Sequence, residues 1–195
     1  AEVRITRHNL PHWDQQGATY FVTFRLGDSL PGTLLAQWKS ERDDWLKTHA
    51  APISPVDERE YHRLFSVRID EWLDAGHGAC VLREPRARAC VAESLHHFDH
   101  VRYRLVSWVV MPNHVHVCLT VHPAWRLEQM VFTWKRRMAG EINRITGNAG
   151  PVWQRDYFDR LVRNPEHFNR VLSYIRRNPE TAKLRDDEYT LWEAD

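Results

Sequence analysis

The sequence predicts an α+β fold: a ferredoxin-like βαββαβ sandwich with an antiparallel sheet, an enlarged helical first crossover and an added C-terminal helix bearing a tyrosine. Three observations predict it. Ala18 to Leu26 alternates in β-forming residues, two apolar β-branched runs are separated only by Met111-Pro112-Asn113, and helical periodicity fills the intervals between these strands. The 195 residues, 43% of them hydrophobic, fit one domain, 1–195, in which about 27–75 is a helical elaboration of the first crossover.

Taken in order, the first strand places Tyr20, Val22, Phe24 and Leu26 on one side and Thr19, Phe21, Thr23 and Arg25 on the other. Thr33 to Lys47 reads as a helix, and Thr48 to Pro55 as the loop after it. Asp57 with Glu60 three residues on resembles a capping box opening the next helix, whose apolar residues Tyr61, Leu64, Phe65, Trp72 and Leu73 recur at helical spacing. Val91, Leu95 and Phe98 mark a shorter helix. Val101 to Val110 and His114 to Val121 form a hairpin about the Pro112-Asn113 turn. Leu127, Met130, Val131, Trp134, Met138, Ile142 and Ile145 mark a long amphipathic helix stopping near Gly147, and a weaker strand covers about Tyr157 to Arg163. The last helix begins at Asn164-Pro165, a cap residue followed by proline, and is expected to end at Asn178-Pro179.

Composition excludes several classes. No run of about 18 apolar residues occurs and the first residues form no signal core, so neither membrane spanning nor secretion is indicated and the cytoplasm is expected. Cys80, Cys90 and Cys118, an odd number without a CxxC pair, argue against a disulfide framework and read as buried thiols. The net charge of +1 hides an asymmetry: Gly27 to Ala75 has six Lys/Arg against ten Asp/Glu, whereas Trp125 to Asn178 has eleven against five. The second half could meet a polyanion, although basic faces are often no more than solvated surface.

Two short segments carry chemistry. His114 and His116 are two apart on a strand, hence on one side with Cα atoms about 6.5 to 7 Å apart, a gap two imidazoles can close around one ion. The alternative is a pair of strand histidines bonded to backbone or water. Cys118 on the same side admits a zinc reading, but the straight strand carries it far along and no fourth ligand is evident. Tyr174 and Asn178 are four apart on the last helix, at one edge of the stripe Phe168, Val171, Leu172 and Ile175. Taken alone, they also suit an ordinary packed tyrosine and a helix terminus. Together the segments could place two neutral nitrogens and one amide oxygen around a divalent ion, with a phenol one turn away.

MPNHVHVCL resembles the histidine-hydrophobe-histidine (HUH) motif of single-tyrosine transposases, and VLSYIRRNP resembles the tyrosine helix of their REP-associated branch. LPHWDQQGATYFVTFRL and GPVWQRDYFDRLVRNPEHFNRVLSYIRRNP are similar to that branch too, whereas about Gly27 to Ala75 has no close match and the NPETAKL after the tyrosine departs from its pattern. The resemblance implies Tyr174 as nucleophile, His114, His116 and Asn178 as metal ligands, and Mg²⁺ or Mn²⁺ as the ion. It implies as partner single-stranded DNA bearing hairpins of repetitive extragenic palindromes, nicked and rejoined through a 5′-phosphotyrosyl link, and a nucleoid-associated place in the cytoplasm. Either a monomer or a homodimer is consistent with it.

Lys135, Arg136 and Arg137 on the long helix, and Arg155, Arg160 and Arg163 around the fourth strand, are the candidate phosphate contacts. Trp125, Trp134 or Trp153 could stack on unpaired bases, Trp134 fitting the core better. The acidic crossover reads as a solvated helical pair that keeps DNA to the opposite face. Beside the transposase and site-specific endonuclease reading stand a hairpin-binding protein that has lost catalysis and a metal hydrolase that uses water.

Overall fold

The computed structural model describes residues 4–7, 11–49 and 54–195. A short antiparallel ribbon of β1 (Arg4–Arg7) and β2 (Pro11–Asp14) precedes a five-stranded sheet. Across that sheet run β6 (Phe158–Val162), β3 (Thr19–Arg25), β5 (His114–Val121), β4 (Tyr103–Val110) and β7 (Thr190–Glu193), every neighbour antiparallel. Without β7 this is the fourth-first-third-second order of the predicted βαββαβ sheet. β7 extends the sheet beside β4, with Trp192 opposite Trp108.

The helices are α1 (Gly32–Thr48), α2 (Pro55–Tyr61), α3 (Val67–Asp74), α4 (Pro85–His96), α5 (Leu127–Thr146) and α6 (Pro165–Thr181). A π-helical turn, His62–Ser66, joins α2 to α3 without a break. Two expected boundaries are corrected. The cap of α2 is Ser54, whose hydroxyl accepts from the Asp57 backbone N–H at 3.1 Å with Pro55 at the first position, so the Ser-Pro pair read as loop starts the helix. α6 runs past Pro179 to Thr181, because a proline in the last turn forfeits one bond while the Ala182 N–H still reaches the Asn178 carbonyl at 3.0 Å. Asn164 caps α6 as expected, accepting from the His167 N–H at 2.8 Å, and Gly147, at φ +67°, closes α5 in the left-handed region that favours glycine.

The pleat divides the sheet into two unlike faces. On the first, Tyr20, Val22, Phe24, Val115, Val117 and Leu119 meet α4 and α5 through Val91, Leu95, Met130, Trp134 and Met138, all buried. Full burial of such side chains contributes about 1.5 to 3 kcal/mol each. The second face carries Phe21, Val109, Met111 and Cys118 under Val171 and Ile175 of α6, with His114 and His116 beside them. α1 also covers this side, Trp38 packing edge-on against Phe158 at 5.7 Å.

Candidate metal and nucleophile site

β5 is buried along nearly its whole length, and His114 and His116 have no exposed surface. Burial holds both imidazoles well below their ordinary pKa, His114 at about 3, so both are neutral. Their Nε2 atoms are 3.0 Å apart.

Asn113 orients the first ring. Its Nδ2 donates to the carbonyls of Leu73 at 3.2 Å and His77 at 3.0 Å, so its Oδ1, 2.7 Å from His114 Nδ1, can only accept. His114 Nδ1 therefore carries the proton and Nε2 presents a lone pair. His116 Nδ1 lies 2.7 Å from Thr23 Oγ1, a hydroxyl able to donate or accept. His116 can accordingly donate Nε2–H to His114 or, with its proton moved to Nδ1, present a second lone pair. A side chain that fixes the far nitrogen of a ligating imidazole is the usual support of a metal site.

α6 brings its motif to the same place. Asn178 is 1% exposed; its Nδ2 donates to Asp74 Oδ1 at 3.4 Å, and its Oδ1 is buried without a hydrogen-bond partner among the described residues. The ring of Tyr174 stands edge-on to His116 at 5.2 Å and to Phe21 at 5.6 Å. Its hydroxyl is likewise buried without a hydrogen-bond partner among the described residues, and Asp70 lines the same cavity. Burial first, then the carboxylates of Asp70 and Asp74, raise the phenol far above its ordinary pKa. Burial and the Asp74 charge raise Asp70 to about 7, and burial raises Asp74 to about 6. A cavity of about 250 Å³ opens beside the phenol, lined by Phe21, Phe158, Val171, Asp70, Arg160 and Tyr174 among others.

Two imidazole lone pairs and one buried amide oxygen without a hydrogen-bond partner among the described residues are a donor set suited to a divalent cation, and they fit it, with the Asp74 carboxylate 3.9 Å from His114 Nε2. Cys118 is not part of that set: it is fully buried in the apolar cluster under α6, and burial pushes its thiol up to about 12. Another group of donors, His49, Asp57 and Glu60, has ligand atoms within 4.8 Å of one another on the half-buried surface of α1 and α2. There His49 Nδ1 lies 2.9 Å from the Trp45 carbonyl and Asp57 accepts from the Ser54 hydroxyl at 2.8 Å.

The predicted cations divide. Arg160 lines the cavity by Tyr174, its charge opposed by burial and supported by Asp70 and Glu58. Arg163 on the same edge is paired with Glu58. Lys135, Arg136 and Arg137 belong to α5, across the sheet from the histidines. Arg136 and Arg137 are exposed, but the Lys135 ammonium donates to the carbonyls of Gln154, Arg155 and Asp156 at 2.9, 3.1 and 3.0 Å, which spends its three donors on the loop before β6. Arg155 is exposed on that loop. Trp134 is core as expected, and Trp153, 8% exposed and edge-on to Phe24 at 5.0 Å, is core as well. Trp125 is half-buried beneath the Arg102 guanidinium, 4.3 Å from its ring.

Residues 84–178 match the model of the IS200-like transposase family. The match runs from α4 through Asn178 and takes in both histidines and Tyr174. Two solved structures are similar to the chain. One is described as a REP-associated tyrosine transposase bound to a REP hairpin: 14% identity, 94% of this chain and 90% of that chain covered, TM-score 0.49. The other, described as a transposase from Deinococcus radiodurans R1, is 14% identical over 82% of this chain and 89% of its own, TM-score 0.34. No curated protein matches the chain.

Sequence reasoning missed Asp70, Asp74, Asn113 and Thr23. Asn113 adjoins the histidine motif but read only as a turn residue. Asp70 and Asp74 immediately follow and precede no motif; their one sign is a spacing of four beside the buried Ile69 and Leu73.

Proposed function

We propose that the chain is a metal-dependent, single-stranded DNA endonuclease and strand transferase that works through a tyrosine nucleophile. The observation that carries this reading is the meeting of β5 and α6: the facing Nε2 atoms of His114 and His116, the partnerless Asn178 oxygen and the Tyr174 ring against His116 occupy one buried polar centre. His114, His116 and Asn178 would hold Mg²⁺ or Mn²⁺. A divalent cation there supplies Lewis-acid stabilisation of charge on the non-bridging oxygens of a phosphodiester.

The chain's own groups supply the rest. The phenol, neutral at rest, loses its proton as its oxygen attacks phosphorus, and the adjacent Asp70 carboxylate, held near neutrality in its pKa, is placed to take it. The P–O bond to the 3′ oxygen breaks, that oxygen takes a proton from water to leave as a 3′-hydroxyl while Asp70 returns its own to solvent, and the 5′ phosphate stays on Tyr174. One phosphodiester is exchanged for another, so a 3′-hydroxyl can reverse the step without an external energy source. Arg160 lies at the cavity by the phenol, where it can face the strand. Substrates bearing REP-type palindromic hairpins follow from the likeness of the tyrosine-helix sequence to the REP-associated branch.

A hairpin oligonucleotide incubated with the protein and Mn²⁺ should yield a covalent protein–DNA adduct on a denaturing gel. Tyr174→Phe should reduce its formation by at least about 1,000-fold, the order seen when a nucleophile is removed. An adduct that persists in that variant overturns the nucleophile. Cleavage products with free ends and no adduct would favour the water-using hydrolase instead.

A further inference from the structure

The acidic crossover does not turn its charge wholly to solvent. In α3, Ile69 and Leu73 are buried, while Asp70 and Asp74, one turn apart, reach Tyr174 and the Asn178–His114 pair. Asn113 ties the last turn of α3 to the β4–β5 turn through the Leu73 and His77 carbonyls. The end of the crossover is tied down as well: Asp28 Oδ2 accepts from the Ala79 N–H at 2.8 Å, and Gly78, at φ +89°, lies where a Cβ would meet the Asp28 carbonyl oxygen at 2.6 Å. The side chain of Asp74 is thereby set 3.9 Å from His114 Nε2 and 3.4 Å from Asn178 Nδ2.

We propose that Asp74 is a fourth protein ligand of the cation site, so that the crossover supplies its one anionic donor. The inference rests on the reading of His114, His116 and Asn178 as ligands. Donor atoms about 2.1 Å from a shared ion stand about 3.0 Å apart when adjacent and about 4.2 Å apart when opposite. His114 Nε2 stands within that range of both His116 Nε2, at 3.0 Å, and Asp74 Oδ1, at 3.9 Å; the three do not close into one cluster, so sharing an ion requires the Asp74 carboxylate to turn toward His116. Asn178 Oδ1, buried without a hydrogen-bond partner among the described residues, is an independent sign that the centre between these side chains takes a cation.

The fourth ligand has two consequences. A hard anionic oxygen among the donors shifts the preference toward Mg²⁺ or Mn²⁺ over softer ions. It also makes the cation a cross-link between α3, β5 and α6, so metal binding orders the crossover over the tyrosine.

The test is titration of the full chain with Mn²⁺, by calorimetry and by the EPR signal of free Mn²⁺, on the wild type, Asp74→Asn and His116→Ala, with amide exchange of residues 67–78 measured alongside. Circular dichroism verifies that each variant is folded. Asp74→Asn should weaken Mn²⁺ binding by about tenfold or more and abolish the metal-dependent slowing of exchange in 67–78. If Asp74→Asn binds within about twofold of wild type while His116→Ala does not bind, Asp74 is no ligand and the histidine site stands. If the wild type does not bind Mn²⁺, or His116→Ala binds as the wild type does, the cation site itself is refuted and the fourth ligand with it.

Discussion

The two faces of the sheet are built from the same strands and have opposite chemistry. On the face under α4 and α5, Val22, Val115, Val117 and Leu119 meet buried apolar partners. On the face under α6, the alternate positions are Thr23, His114 and His116, and two polar atoms above them, the Tyr174 hydroxyl and Asn178 Oδ1, are buried without hydrogen-bond partners among the described residues. Unsatisfied buried groups cost about 1 to 3 kcal/mol each, so the second face is held in place by the packing of the first. The comparison teaches that stability and chemistry occupy alternate residues of one strand: Val115 and Val117 anchor β5, and His114 and His116 are presented because their neighbours are anchored.

The comparison is sharpened most by an attack on the packed face. Trp134, fully buried, edge-on to Tyr103 at 5.3 Å and donating to its hydroxyl at 2.9 Å, should cost about 3 to 5 kcal/mol when changed to alanine. Chemical denaturation measures it, and a loss below about 1 kcal/mol would mean that this face is not what supports the fold.

A smaller effect separates structural from DNA-facing cations. Lys135→Ala leaves three loop carbonyls without their donor and should destabilise by about 1 to 3 kcal/mol. Its affinity for single-stranded DNA should stay at the wild-type level, whereas Arg160→Ala should weaken binding and reduce the salt slope by about one. Fluorescence anisotropy over a salt series distinguishes the two, and equal losses would break the division.

The smallest effect is a pH slope. The Asp70 carboxyl is raised from 3.8 to about 7 in the folded chain, so its contribution to stability is fully present below about pH 4 and is lost as pH rises through about 7. Asp74, raised to about 6, acts with the same sign. The melting temperature should therefore fall from pH 4 toward pH 7 through this pair, and Asp70→Asn should flatten that fall. Identical slopes would show that Asp70 is not strained by its site.

What could be read in the sequence was whatever lay on one regular element. Alternation located β3, an apolar β-branched run beside the Pro112-Asn113 turn located β5, and a spacing of two or of four put His114 with His116 and Tyr174 with Asn178. Contacts between elements left no such mark. That Asp74 reaches His114 depends on how α3 returns over the sheet, and Lys135 looks like a surface cation until the loop at Gln154 to Asp156 closes on it. β7, four half-buried residues beside β4, has too short a pattern to stand out, and the Ser54 cap was hidden by a proline read as a loop breaker. The acidic bias of the crossover suggested solvation because composition counts charges without saying which way they point.

Crystals soaked in Mn²⁺ and measured at the manganese absorption edge test the central claim most directly. The account predicts one strong anomalous peak between β5 and α6, about 2.1 to 2.2 Å from His114 Nε2, His116 Nε2 and Asn178 Oδ1, with the Tyr174 hydroxyl beside it. A peak at His49, Asp57 and Glu60 instead, with none between the two histidines, would contradict it.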